Sequence, residues 1–224
     1  MAEGIFLIEN NIAEEEFSMK KGVIWITIYL LVLLWSLINP KDMFTWWLEA
    51  IPALLALPIL FFSRKSFPLT PLAYGLILVH CCVLFVGARY TYAEVPLFDW
   101  LAQLMGSERN NYDKVGHFAQ GFIPVILARE IFIRKQVIQI GAWCQFLAVC
   151  FVLAFSAFYE LVEWWVAIAT GENAEAFLGT QGYVWDTQSD MFLALIGGVC
   201  GVLLLSSLHN KQIATKMAVN NHLV

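Results

Sequence analysis

A chain of 224 residues that is 60% hydrophobic and only 14% charged cannot cover its apolar surface with its own polar side chains, so lipid must do the covering. Its net charge of −5 offers no basic face for neutralising phosphates, which excludes a nucleic-acid binder. Five cysteines (Cys81, Cys82, Cys144, Cys150 and Cys200) all fall in apolar runs without a Cys-x-x-Cys pair, and read as small core residues rather than a disulfide framework.

The N-terminal segment carries Glu3, Glu9, Glu14, Glu15 and Glu16, the opposite of the basic start of a secretory signal. Lys20 and Lys21 then precede the first apolar run, which reads as an uncleaved anchor over residues 23–38. The second run, 43–62, contains Glu49 and the prolines Pro52 and Pro58; the third, 69–88, has His80 as its ionisable group. The fourth, 115–133, opens near His117 and ends near Arg129 and Glu130, which are expected to form an interfacial pair with a snorkelling arginine. The fifth, 140–169, is longer than a bilayer needs and holds Glu160 and Glu163. The sixth, 191–208, is apolar, with Gly197, Gly198 and Gly201 forming a small face for close helix approach. Each run but the first comes close to the ~20 residues that cross the hydrocarbon core.

Nine lysines and arginines fall on one side of these runs: Lys20, Lys21, Arg64, Lys65, Arg129, Arg134, Lys135, Lys211 and Lys216. Four (Lys41, Arg89, Arg109 and Lys114) fall on the other, so the positive-inside rule puts both termini in the cytoplasm. The predicted fold is all-α, a polytopic transmembrane bundle of about six helices. An acidic cytoplasmic tail occupies 1–22, the transmembrane domain 23–208 with outer loops at 89–114 and 170–189, and a short cytoplasmic tail 209–224. In the first outer loop Leu97, Trp100, Leu101 and Leu104 recur at helical spacing, predicting a short amphipathic helix in the interface. Tyr90, Tyr92 and Trp185 are placed as belt residues. The Gly179–Gly182 stretch of the second outer loop reads as a turn, without the lysine of a phosphate loop.

Helix direction brings the polar residues to one level. Asp113 and His117 share a face at the outer end of the fourth span, with Gln120 one turn on. Glu160 and Glu163 lie toward the outer end of the fifth, Asp186 and Asp190 open the sixth, and Glu49 and His80 fall in the outer halves of the second and third. The cytoplasmic half shows no counterpart beyond Arg129 and Glu130. Several carboxylates within a membrane cannot ionise together without a cation among them. Mainly oxygen donors with one imidazole suit a divalent metal such as Mn, Mg, Fe or Zn. The simpler reading is capping: Asp113 and Asp186 fit N-cap positions, and Thr187-x-x-Asp190 fits a capping box.

The blocks Gly87–Leu97, Arg109–Phe118, Ala128–Glu130 and Trp185–Asp190 resemble the YjdF family of bacterial inner-membrane proteins. The resemblance implies a multi-pass protein of the inner membrane and carries no established activity. Asp113-Lys114-x-x-His117-Phe118, the acid at Glu160 or Glu163, and Asp186 and Asp190 before Gly197 are more loosely similar to VanZ-like membrane proteins, which implies a role in the cell envelope. Where that pattern has Glu followed by Gln, this chain has a second acid, Glu163.

Three readings follow from the residues. In the first, His117, Glu160, Glu163 and Asp190 bind a metal ion, Asp113 and Asp186 orient or act as acid and base, and Lys114 or Arg89 holds the anionic headgroup of an envelope lipid substrate. In the second the carboxylates relay protons or cations in a transporter. In the third the cluster fixes helix register in a non-catalytic accessory protein.

Overall fold

In hydrocarbon every backbone N–H and C=O must find its partner within the chain, and helices satisfy them segment by segment. The computed structural model describes residues 2–107, 109–170 and 184–221, and these form eight helices and no strand. They are α1 (Ala2–Leu37), α2 (Met43–Ser63), α3 (Pro71–Arg89), α4 (Pro96–Leu104), α5 (Tyr112–Phe122), α6 (Pro124–Arg134), α7 (Ala142–Thr170) and α8 (Asp186–Asn221). Five of them, α1, α2, α3, α7 and α8, are long and apolar enough to cross a bilayer.

The fourth expected span is not one helix. It is α5 and α6 in series, because Pro124 has no N–H to give the carbonyl of Gln120. Ile123 between them keeps helical dihedrals (φ −87°, ψ −53°), so the chain continues in the same direction and completes a sixth crossing. Helix also extends beyond the expected spans at both termini. α1 runs back through the acidic N-terminal segment to Ala2, and α8 runs on to Asn221. The second outer loop lies largely outside the described residues, including Glu172, Glu175 and the turn at Gly179–Gly182.

α3 sits between two groups of helices. On one side α1 and α2 pack against it, tied by Trp25 Nε1 donating to Tyr74 O (2.8 Å) and Tyr29 Oη donating to Ala53 O (2.9 Å). On the other, α8 is the common partner of α5, α6 and α7. α4 is the expected amphipathic helix: Leu97, Trp100 and Leu104 are exposed on one face while Ala102 is buried on the other.

The tightest contact in the bundle is between α5 and α8, which run parallel. A Cβ at Gly121 would overlap the Ala194 carbonyl, and one at Gly197 would overlap the Phe118 carbonyl. Backbone therefore touches backbone, as the small-residue face of α8 suggested. Gly121→Ala or Gly197→Ala should lower the thermal midpoint in detergent, with a strain of about 1–3 kcal/mol. Gly75→Ala, where nothing lies within 4 Å of the added carbon, should leave it unchanged. Light-scattering melts of the three variants would check this.

Candidate functional site

The α5–α8 contact places His117 beside Asp190, one turn above Gly121 and Ala194. His117 Nε2 lies 3.2 Å from Asp113 Oδ1, on the preceding turn of α5, and 3.7 Å from Asp190 Oδ2. Its Nδ1 lies 3.2 Å from Gln120 Oε1. With Gln120 accepting there, the Nε2 lone pair points between the two carboxylates, the arrangement that orients a metal-binding imidazole. One donor atom from each of Asp113, His117 and Asp190 lies within 4.8 Å of the others, the one such group among the described residues. Asp190 is 5% exposed and its Oδ1 has no hydrogen-bond partner; Glu160 Oε1, also buried, has none either.

These positions differ in part from the expected roles. Asp113 joins His117 and Asp190 at the centre. Glu163 is not part of that tight group; with Glu49 and His80 it lines a cavity that Asp113 and His117 also border. Asp186 is held by Arg109 (2.5 Å), an ion pair that fastens the first outer loop to the start of α8. The capping readings also change: α5 is preceded by Asn111, and Thr187 is already inside α8. Arg89 does not reach the cavity. Its guanidinium donates to the Trp35 carbonyl and lies over the Trp35 and Tyr90 rings, joining α3 to the end of α1. Lys114 is half-buried and has no partner among the described residues.

Tyr92 is not a belt residue. Its ring is 8% exposed, wedged where a Cβ at Gly87 or Gly116 would overlap it, and it faces the cavity. Burial pushes its phenol well above the ordinary range, with Glu49 adding to the effect, so it stays a neutral hydroxyl. The sequence offers one signal for this: Gly87 and Gly116 flank the loop at the two places where the ring needs room.

The inner end of the bundle holds a second buried polar group, and here the expected interfacial pair is wrong. Arg129 and Glu130 are both 0% exposed, and His209 of α8, also 0% exposed, stands between them. Arg129 can only donate, so His209 Nδ1 accepts from it (3.0 Å) and His209 Nε2–H donates to Glu130 (3.1 Å). Glu130 also accepts from Arg134 (2.7 Å) and from the Thr70 amide (2.9 Å) and hydroxyl (2.7 Å). Arg129 further donates to Asn210 (2.9 Å). The acid must be ionised to satisfy four donors, and a bilayer leaves no cheaper place for it than this cage. The legible trace of His209 is its spacing with Val202, Ser206 and Ile213, one buried face continuing past the expected end of the span.

Removing one partner from such a cage leaves the others uncompensated. Glu130→Ala should destabilise the protein by about 3–5 kcal/mol, whereas Lys211→Ala, on the exposed face of α8, should have little effect. Thermal melts of the detergent-purified variants are the check.

The chain matches the family described as "Predicted membrane protein (DUF2238)" over residues 22–211. It is 45% identical over 183 residues to the inner membrane protein YjdF of Escherichia coli (strain K12), covering 82% of this chain and 88% of that one. No solved structure matches.

Proposed function

We propose, for a chain that belongs to the DUF2238 family of membrane proteins, an outward-facing divalent-cation site that works on an envelope lipid or its headgroup. The protein is a multi-pass helical bundle of the bacterial inner membrane. The observation that carries the reading is the convergence of Asp113, His117 and Asp190 with a buried, unpartnered carboxylate oxygen on Asp190.

An ion about 2.0–2.2 Å from each ligand atom keeps those atoms about 3.0–3.6 Å apart. The separations of 3.2 and 3.7 Å from His117 Nε2 need little adjustment to fit. Such an ion would offset Asp113 and Asp190 and the field of the nearby Glu160, none of which pairs with a lysine or arginine among the described residues. One imidazole with carboxylates suits Mn, Mg, Fe or Zn. An ion held there can polarise a phosphoryl or carbonyl oxygen and acidify a bound water, while Glu160 is close enough in the fold to serve as a proton acceptor. Lys114, at the outer rim, suits the phosphate of a headgroup.

Elemental analysis of detergent-purified protein should find near-stoichiometric divalent metal, lost in His117→Ala and in Asp190→Asn. Metal-free wild-type protein, with a melting point that EDTA does not change, would refute the site.

One observation favours transport as the second reading: the Arg129–His209–Glu130 group is an inner counterpart to the outer acids. Between the two levels, however, lies an apolar layer of Val125, Ile126, Ala148, Val152 and Val202, so no polar path joins them in this conformation. Proton or cation flux in reconstituted vesicles, abolished by Glu160→Gln, would move the assignment to transport.

A further inference from the structure

Asp113 and His117 of the cation site also border a cavity of about 60 Å³, whose further walls include Glu49, His80, Tyr92, Tyr159 and Glu163. Three features define what it can hold. First, its charge is acidic: Glu49 and Glu163 face it, and no lysine or arginine lines it. These acids do not form a group tight enough for one metal ion among the described residues, so the space between them suits a larger cation. Second, Tyr92 is more than nine-tenths buried, yet its hydroxyl makes no hydrogen bond within the described chain and borders the cavity. Thr91 and Tyr92 both take left-handed backbone angles (φ 53° and 56°), an arrangement that the surrounding structure must hold in place. A hydroxyl that a buried ring holds at the cavity wall without a protein partner is free to accept from a ligand there.

Third, one side of the cavity is the less closely packed. Packed contacts run from α2 to α3, from α3 to α5 and from α5 to α7, but α7 and α2, which both line the cavity, are not a closely packed pair among the described residues. A ligand coming from the bilayer would pass between these two helices, each long and apolar enough to cross it. Pro52 lines the cavity on the α2 side and, lacking an N–H, releases the Leu48 carbonyl from the helix ladder.

We infer that this cavity receives the primary ammonium of a lipid headgroup, which reaches it from the outer leaflet between α2 and α7. Glu49 and Glu163 supply the counter-charge, and the Tyr92 oxygen accepts one of the ammonium hydrogens. An anionic headgroup without an amine finds only like charge there. The cavity shares Asp113 and His117 with the cation site, but the ammonium contacts are made by Glu49, Glu163 and Tyr92; the chemistry that the bound headgroup would meet is the one consequence that rests on the function proposed above.

The test uses the full chain in detergent, with bound lipid counted by native mass spectrometry and metal measured on the same samples. Phosphatidylethanolamine should be retained and phosphatidylglycerol should not. Losing one hydrogen bond to a charged group corresponds to roughly tenfold in affinity, so Glu49→Gln and Tyr92→Phe should each weaken phosphatidylethanolamine binding by about that factor. Both should leave the metal content unchanged. Tyr92→Phe removes a single oxygen and keeps the ring in its glycine cradle, so it remains informative if the Glu49 variant fails to fold. Equal retention of the two lipids, or retention indifferent to Tyr92→Phe, overturns the inference. Binding of free ethanolamine without the lipid overturns its lipid part. Phosphatidylethanolamine bound to metal-free protein would sustain the inference while removing the cation site.

Discussion

The contact between the backbones of α5 and α8 governs this structure. Gly121 against Ala194, and Gly197 against Phe118, bring two parallel helices closer than any side chain would allow. In a bilayer no hydrophobic force draws helices together, so packing at this distance, with the polar contacts it permits, must do so. One turn outward it sets His117 beside Asp190; toward the inner end it allows His209 to stand between Arg129 and Glu130. Both polar groups of the protein thus depend on two glycines that carry no chemistry.

The two groups solve the cost of a buried charge in opposite ways. At the inner end Glu130 is surrounded by donors from three helices, and its charge is met by Arg134 with Arg129 close by through His209. Around the Glu130 carboxylate that group is closed, although the Arg129 Nε has no partner, and it joins the start of α3 to α6 and α8 on the far side of the break at Pro124. At the outer end acids outnumber basic partners, and two buried carboxylate oxygens, on Glu160 and Asp190, have none. A closed cage stabilises a fold; an unbalanced cluster of acids calls for something the chain does not supply. The difference separates a structural site from a binding one more firmly than either cluster does alone.

Around the outer cluster the basic side chains other than Lys114 are already committed. Arg89 fastens α3 to α1, Arg109 holds Asp186, and Lys41 pairs with Glu94 at 2.7 Å on the surface. The outer loops are therefore tied down by the cations that might otherwise neutralise the acids. What remains is an acidic chamber walled by α2, α3, α5 and α7. Such a chamber is suited to a cationic ligand.

The helical class, the position of the apolar spans and the common level of the ionisable residues were legible in the sequence, because each depends on runs of apolar residues and on counting along helices. Glu49, His80, His117, Glu163 and Asp190 could be brought to one height by counting along helices of known direction. Rotation of the helices about their axes could not be read that way. It was settled by glycines on two different helices, and it chose Asp113 over Glu163 as the neighbour of His117 and Asp190. Arg129 and Glu130 looked interfacial because they lie near the end of a span; a histidine eighty residues away makes their burial affordable. Distance along a membrane helix is local, fixed by 1.5 Å per residue, and so belongs to the sequence. Which faces meet is a property of packing between distant segments, and only the tertiary structure decides it.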